Sequence, residues 1–236
     1  MDFDVVRIDE SSCSLELLRD GKAEPVKLGD DATLDVNSHA AENVEATAVF
    51  VGYGLTVPEL HYDDLAGLDV KGKIAVFVTG GPADMSGPIK AHYQSGEERR
   101  RAFAKAGIIG AISIPNPRSA EVPWSRMAAS RFQQRMELRD PGHDVPPPYQ
   151  VTIQFNPARA EMLFSGSGHA FQEILEALNA DKPLQQMCIR DSPFLPRDCD
   201  HIRVPADTEP QCLPEPRAWR LLGNRRLCKH TRVRTR

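Results

Sequence analysis

Val49-Phe50-Val51-Gly52-Tyr53-Gly54 and, one short loop later, Tyr62-Asp63-Asp64-Leu65-Ala66-Gly67-Leu68-Asp69-Val70-Lys71-Gly72-Lys73-Ile74-Ala75-Val76-Phe77-Val78 decide how this chain is read. Two runs of β-branched and aromatic residues flank a connector of Gly, Pro and Asp, which spells strand, irregular loop, strand. The second strand, Lys73 to Thr79, is almost continuously apolar, so it is expected to be covered on both faces. Gly52-Tyr53-Gly54 is not a dinucleotide fingerprint, because Val57 stands where the third glycine would fall. Its glycines are read as permitting an unusual backbone turn.

Downstream, Ser95-Gly96-Glu97-Glu98 is a capping box. Ser95 is positioned to accept from the amide of Glu98, and Glu98 to reach back to the cap. Ala102, Phe103 and Ala106 form the inward stripe of the helix, Gly107 supplies a left-handed stop, and Ile108 to Ile114 is the next buried strand. Strand, helix, strand at this length predicts a crossover between parallel neighbours. Ile74, Val76, Val78, Ile109 and Ile112 are expected on adjacent buried strands with Phe103 packed over them.

These stretches, together with Ala91-His92-Tyr93-Gln94-Ser95-Gly96 and Gly107-Ile108-Ile109-Gly110-Ala111-Ile112-Ser113-Ile114, resemble the protease-associated domain of zinc-dependent aminopeptidases, the broad family of aminopeptidase Y and glutamate carboxypeptidase II. The resemblance covers roughly residues 1 to 184 and is sharpest between 48 and 114. It implies an α/β fold with a mixed, mostly β-sheet core and flanking helices, extended by a C-terminal helical segment. It further implies a secreted or periplasmic parent whose two zinc ions sit in a separate catalytic domain following this region. The implied partners are that catalytic domain and a peptide substrate. The implied role is to shape or cover the active-site cleft, so the present chain is expected to be inactive by itself.

Four segments follow from the pattern. Residues 1–40 form an antiparallel lead-in, with strand-like runs Asp4 to Ile8, Ser14 to Leu18 and Pro25 to Leu28 and a hairpin signal at Asp20-Gly21. Residues 41–122 are the domain core, with Val44 to Val51 as one central strand. Residues 123–187 are a strand and helical extension. Val151 to Phe155 returns as a strand, Asn156-Pro157 starts a helix, and Phe171, Ile174, Leu175 and Leu178 stripe a second one that Pro183 stops.

Residues 188–236 break the pattern and read as a non-native or disordered tail. They hold 11 of the 29 Lys and Arg but 6 of the 33 Asp and Glu, a net +5 against −9 for residues 1–187. Six prolines and four of the five cysteines fall there as well. Met187-Cys188-Ile189-Arg190-Asp191-Ser192 resembles an adapter-derived junction peptide. A one-nucleotide shift within codons for Cys212 to Arg217 yields a Ser-Pro-Asn strand similar to the family's approach to its catalytic domain, so the tail reads as out of frame. Cys188, Cys199, Cys212 and Cys228 have neither zinc-ribbon nor disulfide-framework spacing.

The acidic body argues against nucleic acid as a partner. Arg99-Arg100-Arg101, beside Glu97 and Glu98, is read as a solvated helix face. No apolar run reaches the ~20 residues that span a bilayer, and Met1-Asp2-Phe3-Asp4 is not a signal peptide. Three constellations invite chemistry. His61-Tyr62-Asp63 copies the His-x-Asp pattern that opens the family's zinc site, yet it lies in the Tyr-Asp-Asp loop, where Asp63 and Asp64 are expected to accept backbone hydrogen bonds. Ser165-Gly166-Ser167-Gly168-His169 lacks the Gly-x-Ser-x-Gly elbow and is read as an interhelical loop. Trp124, with Pro123, Arg126 and Arg131, suits a peptide-facing rim but is better read as packing. No downstream Glu-Glu pair, bridging Asp or final His stands in a catalytic context. The expected catalytic, cofactor and metal residues of this chain are therefore none. Two rivals to the peptidase reading are an autonomous peptide- or protein-binding module and a small hydrolase using Ser167 and His169.

Overall fold

The computed structural model describes residues 3–6, 8–19, 22–35, 41, 43–138, 148–181, 219–223 and 231–233. The strands are β1 (Phe3–Val6), β2 (Cys13–Arg19), β3 (Lys22–Val26), β4 (Ala32–Leu34), β5 (Val44–Ala46), β6 (Ala48–Phe50), β7 (Thr56–Val57), β8 (Tyr62–Asp63), β9 (Ile74–Val78), β10 (Gly110–Ile114), β11 (Arg135–Leu138), β12 (Val151–Phe155), β13 (Trp219–Gly223) and β14 (Thr231–Val233). The helices are α1 (Gly87–Tyr93), α2 (Gly96–Ala106), α3 (Trp124–Ser130), α4 (Glu161–Phe164) and α5 (Phe171–Asn179). The chain is an α/β protein with a mixed, mostly sheet core and flanking helices.

The central sheet has five strands in the order β4-β12-β10-β9-β6. β6, β9, β10 and β12 run parallel, and β4 closes one edge antiparallel to β12. This one sheet draws on the lead-in, the core and the extension. β9 is buried at all five positions. Its even-numbered side chains, Ile74, Val76 and Val78, join a cluster with Phe50, Ile112, Ile153 and Phe155, covered by α4 and α5 through Phe164, Phe171 and Ile174. Its odd-numbered ones, Ala75 and Phe77, belong to a second cluster with Val49, Val51, Phe103, Ile108 and Ala111.

Phe103 therefore packs on the face opposite Ile74, Val76 and Val78, edge-on to Phe77 at 5.9 Å between ring centroids, which corrects the expectation that it covers them. The cause is the two-residue period of a strand: α2 lies on the side to which 75 and 77 point. Val44 to Val51 also differs from a single strand. It divides at Thr47, with β5 in an antiparallel sheet and β6 in the central one, and the Thr47 carbonyl accepts from the amide of Ile74.

α2 starts as its sequence demands, Ser95 Oγ accepting from the Glu98 amide at 3.2 Å. Glu98 does not close the box. The Ser95 amide already donates to the His92 carbonyl, and Glu98 turns to Arg101 at 3.4 Å. Nor is the arginine run a fully solvated face. All three residues are half-buried, and Arg99 lies 4.4 Å over the Phe77 ring while donating to the carbonyls of Gly54 and Gln94. Its desolvation there holds the guanidinium below its ordinary pKa.

β2 and β3 form the expected hairpin, Arg19 pairing with Lys22, while Asp20 and Gly21 lie outside the described residues. Asn156 caps a short 3-10 turn, Pro157–Arg159, that leads into α4. α5 buries Phe171, Ile174, Leu175 and Leu178. Two pieces of the tail differ from the expectation of no structure: β13 pairs antiparallel with β2 and β5, and β14 pairs with β1. An extended segment needs only an open strand edge to satisfy its backbone, whatever its side-chain pattern. The remainder of 188–236 lies outside the described residues. Among the described residues no helix is long and apolar enough to cross a membrane.

Ile112, 1% exposed and central on β10, sits where truncation leaves a cavity that neither layer can fill. Ile112→Ala should destabilise by about 2–5 kcal/mol in urea unfolding, and an unchanged midpoint would contradict its placement. Deleting residues 188–236 should leave hydrogen-exchange protection of Ile74–Val78 intact, since β13 and β14 are not members of the central sheet. Loss of that protection would make the tail part of the core's cooperative unit.

Candidate functional site

The Tyr-Asp-Asp loop returns beside β6 because two glycines allow a tight turn there. Gly52 and Gly54 have φ of +60° and +64°, where an L side chain is strained. A Cβ on Gly52 would stand 3.0 Å from Asp64 Oδ1, and one on Gly54 2.9 Å from the Phe103 ring. Asp64 fills the space this turn encloses. One carboxylate oxygen accepts from the Leu55 amide at 3.0 Å and the other from the Tyr62 hydroxyl at 2.7 Å. Asp63 accepts from the Thr56 hydroxyl at 2.9 Å and the Leu65 amide at 3.0 Å. His61 is exposed, at φ +50°, ending a 3-10 turn.

These residues do not fit zinc. Both carboxylates face donors of their own loop, and His61 is exposed at the end of the 3-10 turn. Among the described residues no group of three or more His, Cys, Asp and Glu is placed to hold a metal ion. Asp63 and Asp64 do accept backbone amides, as their position in the turn suggests.

Burial is the largest influence on Asp64 and pushes its carboxyl up to about 6, against the pull of its hydrogen-bond donors. Tyr53 is pushed up to about 12 by burial and by the nearby Asp181 and Asp64 carboxylates, and its hydroxyl donates to the Leu178 carbonyl at 2.9 Å. The Tyr62 hydroxyl is raised by burial and by Asp64. The loop is thus tied through Tyr53 to the end of α5.

Ser167 and His169 make no catalytic pair. The Ser167 hydroxyl, 1% exposed, accepts from the His169 amide at 3.2 Å and donates to its carbonyl at 3.3 Å, closing the turn between α4 and α5. Trp124 anchors α3 to the turn before β4, its indole N–H donating to the Gly29 carbonyl at 3.0 Å. Arg131 Nε is paired with Glu10 at 2.6 Å, and Arg126 is exposed.

A polar cleft, missed by motif reading, lies where α3 and the chain after it overhang β4, β12 and β10. It encloses about 150 Å3. Its floor follows from register, because Gln154 pairs with both Thr33 and Ser113, placing the three in one row across the sheet, with Thr152 two positions along β12 on the same face. Arg131, Gln133 and Arg135 form the opposite wall. Arg135 is held by Asp35 at 2.7 Å. The available signal was the alternation Val151-Thr152-Ile153-Gln154-Phe155, apolar toward the core and polar toward the cleft.

The raised Asp64 value has a definite sign. An unfolded aspartate titrates near ~3.9, so the folded chain binds the proton first. The resulting stabilisation is fully present below about pH 4 and is lost as pH rises through about 6, a swing on the order of 2–3 kcal/mol. Asp64→Asn should remove this swing: between pH 7.5 and 5 the urea-unfolding free energy of the wild-type chain should rise relative to that of the variant, by about 1 kcal/mol or more. A constant difference between them would refute the assignment.

No family model matches the chain, and none of the curated proteins matches it. Among solved structures it is similar to an aminopeptidase from Aneurinibacillus sp. strain AM-1, with a TM-score of 0.38 and 18% identity over 71% of this chain and 30% of that one. It is also similar to BSAP, a zinc aminopeptidase from Bacillus subtilis, with a TM-score of 0.32 and 15% identity over 69% of this chain and 31% of that one. The chain spans about 30% of the length of the first of these enzymes.

Proposed function

We propose that this chain is the protease-associated portion of a zinc aminopeptidase-like peptidase, a cover that shapes the cleft of a catalytic domain and performs no hydrolysis itself. The observation that carries this reading is the use made of the residues that resemble the family. Gly52-Tyr53-Gly54 and Tyr62-Asp63-Asp64 are consumed in internal hydrogen bonds, as a scaffold loop requires, and leave no His-plus-carboxylate set for a metal. The two zinc ions belong, on this reading, to the parent's catalytic domain, which is the partner of this chain together with a peptide substrate. A secreted or periplasmic parent follows from the same resemblance.

The polar cleft favours a second reading, an autonomous module that binds a peptide or protein without catalysis. The uninterrupted genomic sequence separates the two: a frame continuing into zinc ligands supports the peptidase portion, and a genuine stop after Arg236 supports the module.

The purified chain should retain no stoichiometric zinc after dialysis and should not hydrolyse aminoacyl p-nitroanilides, because a catalytic zinc needs about three protein ligands and an open water position. Zinc at one equivalent, with activity lost in His61→Ala, would overturn the reading. In the protein expressed from the uninterrupted gene, removing the cover should raise activity on long peptides relative to dipeptides.

A further inference from the structure

β13 does not lie at the rim of its sheet. It runs between β2 and β5, antiparallel to both, in the order β3-β2-β13-β5. Neighbouring strands stand about 4.8 Å apart, so β2 and β5 face each other across a gap one strand wide, roughly 10 Å. They do not pair with each other, and among the described residues β13 is the sole strand neighbour of β5 in this sheet. β14, by contrast, pairs with β1 alone, at a rim. Leu15 and Leu17 of β2 and Val44 and Ala46 of β5 belong to the main hydrophobic core. Emptying the gap would strip two strand edges of their hydrogen-bonding partner beside core side chains. The body of the chain thus builds a slot that calls for an extended segment.

Register fixes what that segment must carry. Position 219 stands opposite Leu17 and Ala46, position 221 opposite Leu15 and Val44, and position 220 opposite Glu16 and Glu45. Register partners share a face of the sheet, and alternate positions take opposite faces. The core side chains on both walls therefore favour apolar residues at the first and third positions. Glu16 and Glu45, both half-buried, flank the second position on the other face. A carboxylate on either side favours Lys or Arg there, whereas Asp or Glu would meet like charge across both ladders. The sequence Trp219-Arg220-Leu221 has this apolar, basic, apolar pattern.

We propose that the gap between β2 and β5 is a strand-accepting site for an extended peptide segment of apolar-basic-apolar sequence. Main-chain ladders on both sides supply the affinity, and Glu16 with Glu45 select the charge. Residues 219–223 fill the site in cis, and a partner polypeptide with the same pattern fills it in trans once they are displaced. The site is independent of whether the chain covers a peptidase, and its test does not involve hydrolysis.

The test keeps the full chain and empties the slot with Leu221→Pro, which removes a backbone donor from the middle of β13. Hydrogen exchange of Leu15–Leu17 and Val44–Ala46 should quicken by about tenfold or more, while Ile74–Val78 keeps its protection. A fluorescein-labelled peptide Arg-Ala-Trp-Arg-Leu-Leu-Gly-Asn should then bind the variant saturably, in the micromolar to millimolar range, and restore the lost protection. The same peptide with Glu in place of its second Arg should bind about tenfold more weakly, and Glu16→Lys in the protein should narrow that gap. Arg220→Glu, which keeps every backbone donor, should quicken exchange at the same amides and serves if Leu221→Pro misfolds. Wild-type exchange in Arg220→Glu, no saturable peptide binding, equal binding of the Arg and Glu peptides, or a charge preference unchanged by Glu16→Lys would each overturn the proposal.

Discussion

A strand whose side chains are all out of water must find partners for its backbone N–H and C=O groups on both edges, because an unpaired amide there would cost as much as a lost hydrogen bond. β9 meets that demand with parallel neighbours on either side, and the pairing continues past its ends. The Ile74 amide reaches the Thr47 carbonyl, the Val78 amide the Gly52 carbonyl and the Thr79 amide the Ile114 carbonyl. Parallel neighbours need crossovers, and the crossover from β9 to β10 delivers α2 onto one face while α4 and α5 close the other. The positive-φ turn at Gly52 and Gly54 belongs to the same logic, since the chain must leave β6 without obstructing Phe103.

The double covering is complete only over β6, β9 and the adjoining part of β10. Farther out, β12 presents Thr152 and Gln154 to the α2 side and Val151, Ile153 and Phe155 to the other. Among the described residues no long helix covers this half, and the face is bridged instead by α3, tethered through the Trp124 indole to Gly29 and through Arg131 to Glu10. Point tethers hold a layer in place without filling the space beneath it, whereas interdigitated apolar side chains fill it. The cleft is the geometric result of covering a polar half-sheet by tethers.

How much of this the sequence discloses depends on the range of the interaction involved. Local rules sufficed for β9, for the Ser95 cap and left-handed Gly107 of α2, for the Asn156 turn and for the apolar stripe of α5. Local rules cannot say on which face a helix lands, so Phe103 was assigned to the wrong cluster. They also cannot say that a continuous apolar run such as Val44 to Val51 serves two sheets. α1 and α3 escaped notice because each is a seven-residue helix amid Pro and Gly, held by tertiary contacts more than by propensity. The cleft needed register across three strands, which no motif encodes, although the alternation in β12 announced that one of its faces is polar.

The most family-like residues are also the most internally engaged. Asp64 is central to the resemblance, and its carboxylate stands where burial disfavours charge while the Leu55 amide and Tyr62 hydroxyl favour it. An apolar residue there would leave those donors unpaired in the interior, which keeps a carboxyl group in place even though its charge weakens the fold near neutrality. A residue can thus be indispensable to a loop's shape and have no capacity left for an external ligand.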